Sequence, residues 1–164
     1  MAANESTKYT HFSNLAVGTA NGGGSILING VELGGGLAET VAVATTLTAA
    51  DSGKTFILDA AAGKTITLPA LADGLKFKFI VGAAFATDNW IIGSAEGDNI
   101  SGIIADMGSI VAGVPAAAED QINFVASAET IGDWIELVAD LGNTQWLVSG
   151  MCAANGGITA TDPS

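Results

Sequence analysis

Two phrases in this sequence look ready for phosphate chemistry: Gly53-Lys54-Thr55 and Gly63-Lys64-Thr65. A phosphate-cradling loop needs a further glycine five residues ahead of the Gly-Lys pair, so that backbone amides can curl around the anion. Those positions are Thr48 and Leu58, and no helical pattern follows to offer a positive dipole end. Both triplets therefore read as turns that start strands. Glu96-Gly97-Asp98-Asn99 gathers oxygen donors into a turn, but a calcium ion takes six to eight oxygens from spaced acidic ligands, and the run lacks that spacing. Asp133 and Glu136 could in principle share acid–base work on a glycoside. A strand starting at Trp134 sends them to opposite faces, so they do not converge. His11 stands alone as the one histidine and Cys152 as the one cysteine, which leaves no triad, no disulfide and no cysteine-based zinc site. Trp90, Trp134 and Trp146 could stack on sugar rings, yet each lies in an apolar alternation and is expected in the core or at an oligomer interface. The expectation is a protein without catalytic residues or cofactors.

Composition points the same way. The 164 residues include 29 Ala and 22 Gly, no Arg and five Lys, for a net charge of −12. Without clustered cations the chain has no means of displacing counterions from a nucleic acid. Residues 1–78 hold all five lysines and six acids, whereas residues 79–164 hold eleven acids and no base. An acidic half of that kind reads as a solvated surface. No basic start with an apolar stretch behind it marks a secretory signal, and the apolar run from Gly102 to Ala118 is broken by Asp106, Gly108, Gly113 and Pro115. No membrane segment is expected.

The elements that must position these residues are strands. Residues 1–24 carry no period of 3.6 or 2 and read as an extended arm, which could span roughly 65 Å at about 3.3 Å per residue. Tyr9, His11 and Phe12 give it anchors, with a neighbouring subunit as the surface they would hold. Within 25–34, Asn29-Gly30 suits a two-residue hairpin turn. Ile26, Ile28, Val31 and Leu33 then share one apolar face, which must dock to be stable. From Val41 onward short strands recur every 8–12 residues or so between Gly and Asp turns. The clearest is Leu75–Val81, with Leu75, Phe77, Phe79 and Val81 facing inward and Lys76 and Lys78 outward. Val41–Leu47 reads as one strand, Pro115–Asp120 as a helical turn, and Trp134–Val138 with Trp146–Ser149 as a hairpin. A ten-residue echo relates Gly53–Leu58 to Gly63–Leu68. The expected fold is all-β, an antiparallel sandwich or barrel at 41–164 behind an N-terminal arm and hairpin at 1–40.

Thr46–Thr55, Thr65-Ile66-Thr67-Leu68-Pro69, Gly132–Leu137 and Trp146–Gly150 together resemble a group of bacteriophage virion proteins, several of them capsid decoration (cement) proteins. The resemblance spans Thr46 to the C-terminus and leaves the arm and hairpin outside it. The run Asp140–Gln145 is longer than the short Asp-Gly turn usual before the second tryptophan of that group. The resemblance implies a non-catalytic protein on the outer capsid surface of a virion, made in a host cytoplasm and partnered with the major capsid protein and with itself, as a homotrimer. A tail-fibre module that recognises host glycans is the rival expectation. A hydrolase is disfavoured by the missing nucleophile–base pair.

Overall fold

The computed structural model describes residues 26–28, 31–33, 38–94, 98–107 and 114–162, with 26–28, 31–33 and 114–118 described at the level of the backbone. The arm residues Tyr9, His11 and Phe12 lie outside the described residues. The chain divides into two compact units between Gly34 and Gly35. In the first, β1 (Ile26–Ile28) and β2 (Val31–Leu33) pair antiparallel, with Ile26 opposite Leu33 and Ile28 opposite Val31. That is the register a two-residue Asn-Gly connection imposes.

The second unit is built almost wholly of strands. They are β3 (Ala38–Val41), β4 (Thr45–Thr46), β5 (Thr55–Leu58), β6 (Thr65–Thr67), β7 (Lys76–Val81), β8 (Trp90–Gly93), β9 (Asn99–Asp106), β10 (Val114–Glu119), β11 (Gln121–Phe124), β12 (Trp134–Asp140), β13 (Gln145–Cys152) and β14 (Ile158–Thr161). They form a large sheet of seven strands in the order β10-β9-β13-β12-β7-β5-β3 and a small sheet of five in the order β14-β11-β8-β6-β4. Beyond strands, the described residues hold two short 3-10 turns, at Ala49–Asp51 and Leu141–Asn143.

The all-β expectation holds; uniform antiparallel pairing does not. From β3 to β8 the chain alternates between the sheets, so β3, β5 and β7 run parallel in one and β4, β6 and β8 run parallel in the other. This half is wound as a two-sided coil. Each sheet neighbour is therefore one full turn away along the chain rather than one hairpin away. The remaining strands pair antiparallel, except that β13 runs parallel to β9. The ten-residue echo marks half a turn of the coil: Thr55–Leu58 and Thr65–Thr67 sit on different sheets.

Two local readings are corrected. Val41–Leu47 is not one strand, because the chain leaves the large sheet after Val41 and enters the small one at Thr45, turning with Val43 exposed. Val114–Glu119 is a strand and not a helical turn. Proline is tolerated there because β10 is an edge strand, whose outward N–H groups need no ladder partner.

The inward side chains of both sheets share one core. Phe77, Phe79 and Val81 on β7 alternate with half-buried or exposed residues, as the period-2 pattern requires. Phe56 stacks on Phe79 with ring centroids 5.4 Å apart, and Phe77 leans on Trp146 at 5.8 Å. Ile66, Trp90, Ile92, Ile122, Phe124 and Ile158 supply the side from the small sheet.

Candidate functional site

The side chains best equipped for chemistry hold the fold together. Asp133 is buried and accepts two backbone hydrogen bonds, from Thr130 N (2.8 Å) to Oδ2 and from Ala153 N (2.9 Å) to Oδ1. Its own carbonyl accepts from Val81 N at 2.9 Å. One residue thus ties the loop before β12 to the end of β7 and to the turn after β13. A buried carboxylate is tolerated when its lone pairs meet amide donors.

Around Asp51 a second knot forms. Its Oδ2 accepts from the backbone N (2.9 Å) and hydroxyl (2.8 Å) of Thr48, and its Oδ1 accepts from Lys54 Nζ at 2.7 Å. Lys54 also reaches Glu39 at 3.0 Å, which fastens the edge strand β3 to the turn before β5. Partial burial of Asp51 works to raise its pKa, but the hydrogen bonds from Lys54 and Thr48 outweigh it and hold the carboxyl below 3.8. Hydrogen bonds to Asp51 and Glu39 raise Lys54 above 10.5. The first Gly-Lys-Thr triplet therefore places its lysine in an ion pair. Two strands along the large sheet, Asp140 accepts from Asn143 Nδ2 (2.7 Å) and Gln145 Nε2 (3.1 Å), closing the β12–β13 hairpin. Those two bonds lower its pKa.

Asp133 and Glu136 lie apart as expected: Glu136 is on the outside of β12, 3.1 Å from Lys76 Nζ. Cys152 is buried, and burial raises its thiol pKa. An open cleft of about 360 Å³ is lined by Ala84, Phe85, Ala86, Ser127 and Glu129. Glu129 Oε1 accepts from Phe85 N at 2.8 Å, while its Oε2 is buried without a hydrogen-bond partner. Among the described residues no group of three or more metal-ligating side chains gathers. The oxygen-rich turn at Glu96 and Gly97 lies outside the described residues.

The tryptophans separate into two kinds. Trp90 and Trp146 are fully buried, and their indole Nε1 atoms have no hydrogen-bond partner, so both act as apolar filling. Trp134 is half-buried on the outside of β12, with Lys78 Nζ 4.7 Å from its ring centroid.

Trp134 belongs to a feature that spans the outside of the large sheet. The ladder registers align Ile57, Ile80, Trp134, Met151 and Ala105 in one row across β5, β7, β12, β13 and β9. A second row runs Lys76, Val138, Leu147, Ser101, and Ile103 stands opposite Ser149 between them. Ile103 is 69% exposed, Leu147 43%, and Val138 and Met151 37% each. The sequence reading did not single out this face. Its signal was present in Trp146-Leu147-Val148, where apolar residues occupy both sides of one strand, whereas a strand with one wet face alternates apolar and polar.

No family model, no curated protein and no solved structure matches the chain.

Proposed function

We propose that the protein is a non-catalytic structural component of a bacteriophage virion, a decoration protein that binds the assembled capsid shell from outside and stabilises it. One observation carries the reading. The carboxylates of Asp51, Asp133 and Asp140 are committed to backbone amides and to neighbouring side chains, while apolar side chains stand on the outside of the large sheet. That is the economy of a protein whose work is to hold surfaces. The Thr46–Gly150 phrases shared with phage virion proteins supply the kind of surface. Two separate sheets around one core fit a sandwich better than a closed barrel.

In this reading the β1–β2 hairpin, with Ile26, Ile28, Val31 and Leu33 at paired positions, is the contact with the major capsid protein. Stabilisation follows from mass action. A ligand that binds only the assembled shell stabilises it by RT ln(1 + [L]/Kd) per site, and many modest sites add. The test is rebinding of the purified chain to capsids stripped of surface proteins. Saturable binding that is lost with Ile28→Asp/Val31→Asp supports the proposal, and absence of binding sinks it.

The glycan-binding tail-fibre reading keeps one observation in its favour, the surface position of Trp134. One face of that ring already lies under Lys78, which leaves a poor stacking platform. Copy number separates the readings: hundreds per particle for decoration, a small multiple of three or six for a fibre.

A further inference from the structure

We propose that the outer face of the large sheet is a self-association surface, occupied by the same face of a second copy of this chain across a two-fold axis. The proposal does not depend on the virion reading, since it concerns the purified chain alone.

Composition is the first argument. Ile103, Trp134, Val138, Leu147 and Met151 are large apolar side chains on the solvent side of β9, β12 and β13, partnered along the ladders with one another, with Ile80, Ser101, Ala105, Pro115 and Ser149, and at the β7 side with Lys76. The two apolar rows flank a row of Lys78, Glu136 and Ser149 with Ile103 beside it, and exposed apolar surface of this extent marks an interaction site. Trp and Met enrichment with few charges is the make-up of an interface core.

Extent is the second. Strands lie about 4.8 Å apart and rise about 3.3 Å per residue, so five strands by six residues give a footprint of ~500 Å². Two such footprints bury ~1,000 Å², near the lower bound for a specific interface. The area suits a reversible dimer rather than an obligate one.

Charge identifies the occupant. The chain carries −12, so two copies repel wherever acidic surfaces meet. Within the ladders of the outer face the charged residues are Lys76, Lys78 and Glu136, with Asp140 at the end of β12. Glu136 stands opposite Lys78 in register and pairs with Lys76 at 3.1 Å. A face with both signs side by side is its own complement under a two-fold, where Lys78 of one copy can meet Glu136 of the other. A strongly acidic partner finds Lys76 already paired, and a strongly basic one finds a single carboxylate. Such a face joined to itself closes at two copies, because a trimer needs two different patches.

The test is the mass of the full chain in solution, by light scattering from about 1 to about 200 µM. Wild type is expected to rise from the 16.3 kDa chain mass toward twice that value. Leu147→Glu/Met151→Glu should shift the midpoint roughly tenfold or more to higher concentration, because the new carboxylates meet across the axis. Leu147→Asn/Met151→Asn should weaken association less and serves as the second variant should the acidic pair not fold. Near-ultraviolet signals from Trp90 and Trp146 report the core of each variant. Raising salt from about 0.05 to about 0.5 M should strengthen the wild-type dimer by screening overall repulsion. A wild type that stays at chain mass throughout overturns the proposal. So do a trimer indifferent to both variants and a dimer that weakens with salt. Capsid rebinding by the Leu147→Glu/Met151→Glu monomer is read separately, so loss of dimerisation and loss of shell binding are distinct results.

Discussion

Replacing Asp133 by alanine removes a buried carboxylate that joins the loop before β12 to the turn after β13, and the structure sets how much that should cost. Its two acceptor bonds, 2.8 Å to Thr130 N and 2.9 Å to Ala153 N, are charge-assisted and buried. Bonds to charged groups contribute about 1.5–3 kcal/mol each, and each stranded amide adds a desolvation penalty when water cannot reach it. Loop relaxation after truncation returns part of this, so Asp133→Ala is expected to lose about 3–5 kcal/mol. At about 2–4 °C per kcal/mol for a chain of this size, the melting temperature should fall by roughly 10 °C or somewhat more. Asp133→Asn keeps the shape and one acceptor but turns an NH₂ toward the second amide, so roughly half the loss is expected. Urea unfolding followed by tryptophan emission measures both variants, since Trp90 and Trp146 are buried in the folded state. If the asparagine variant were as stable as wild type, the two-bond account would be wrong. A loss below about 1 kcal/mol in the alanine variant would remove the clasp altogether.

Three further outcomes are expected. Gly102 has φ +151° on β9, where an added Cβ would strike the Val148 carbonyl of β13. Gly102→Ala should therefore cost about 3 kcal/mol or more in a melt, against about 1 kcal/mol at Gly74, where φ is positive and the surroundings are open. The lowered Asp51 pKa contributes stability that is present above 3.8 and is lost as pH falls through its folded value, while the raised Lys54 pKa contributes stability present below 10.5 and lost as pH rises through its folded value. Asp51→Asn should flatten the acid side of a stability–pH curve below 3.8, and an unchanged acid side would contradict the assignment. Cys152, buried and with its thiol pKa raised, should resist a thiol reagent at about pH 8 until the protein is unfolded, and rapid labelling of the folded chain would contradict its burial.

Legibility in the sequence followed the range of the interactions. The inward residues of β7 and the β1–β2 register were readable because alternation and an Asn-Gly turn are local signals. The β12–β13 hairpin was readable for the same reason. The parallel coil was not. A strand that hands over to the other sheet through a short turn has the same period-2 pattern as one that folds back in a hairpin. The true partners, such as Phe56 and Phe79, lie a full coil apart. The strand β14 went unread although Ile158-Thr159-Ala160-Thr161 alternates, because a four-residue run gives little pattern to count. As for the site, the divergence of Asp133 and Glu136 was legible, whereas the outer apolar rows depend on register across β5, β7, β12, β13 and β9 and exist only once the sheet is assembled.

Winding the first half as a coil has a consequence at its start. Both sheets end on the same turn, the large one at β3 and the small one at β4. Among the described residues, strand edges without a ladder partner therefore coincide at one pole of the domain, a template for end-to-end growth. Two things discourage that growth. The strands there are only four and two residues long, and the Lys54–Glu39 ion pair sits on the β3 rim. Lengthening β4 or neutralising Glu39 would therefore trade a discrete domain for a fibril-forming one, a failure visible as aggregation rather than as lost stability.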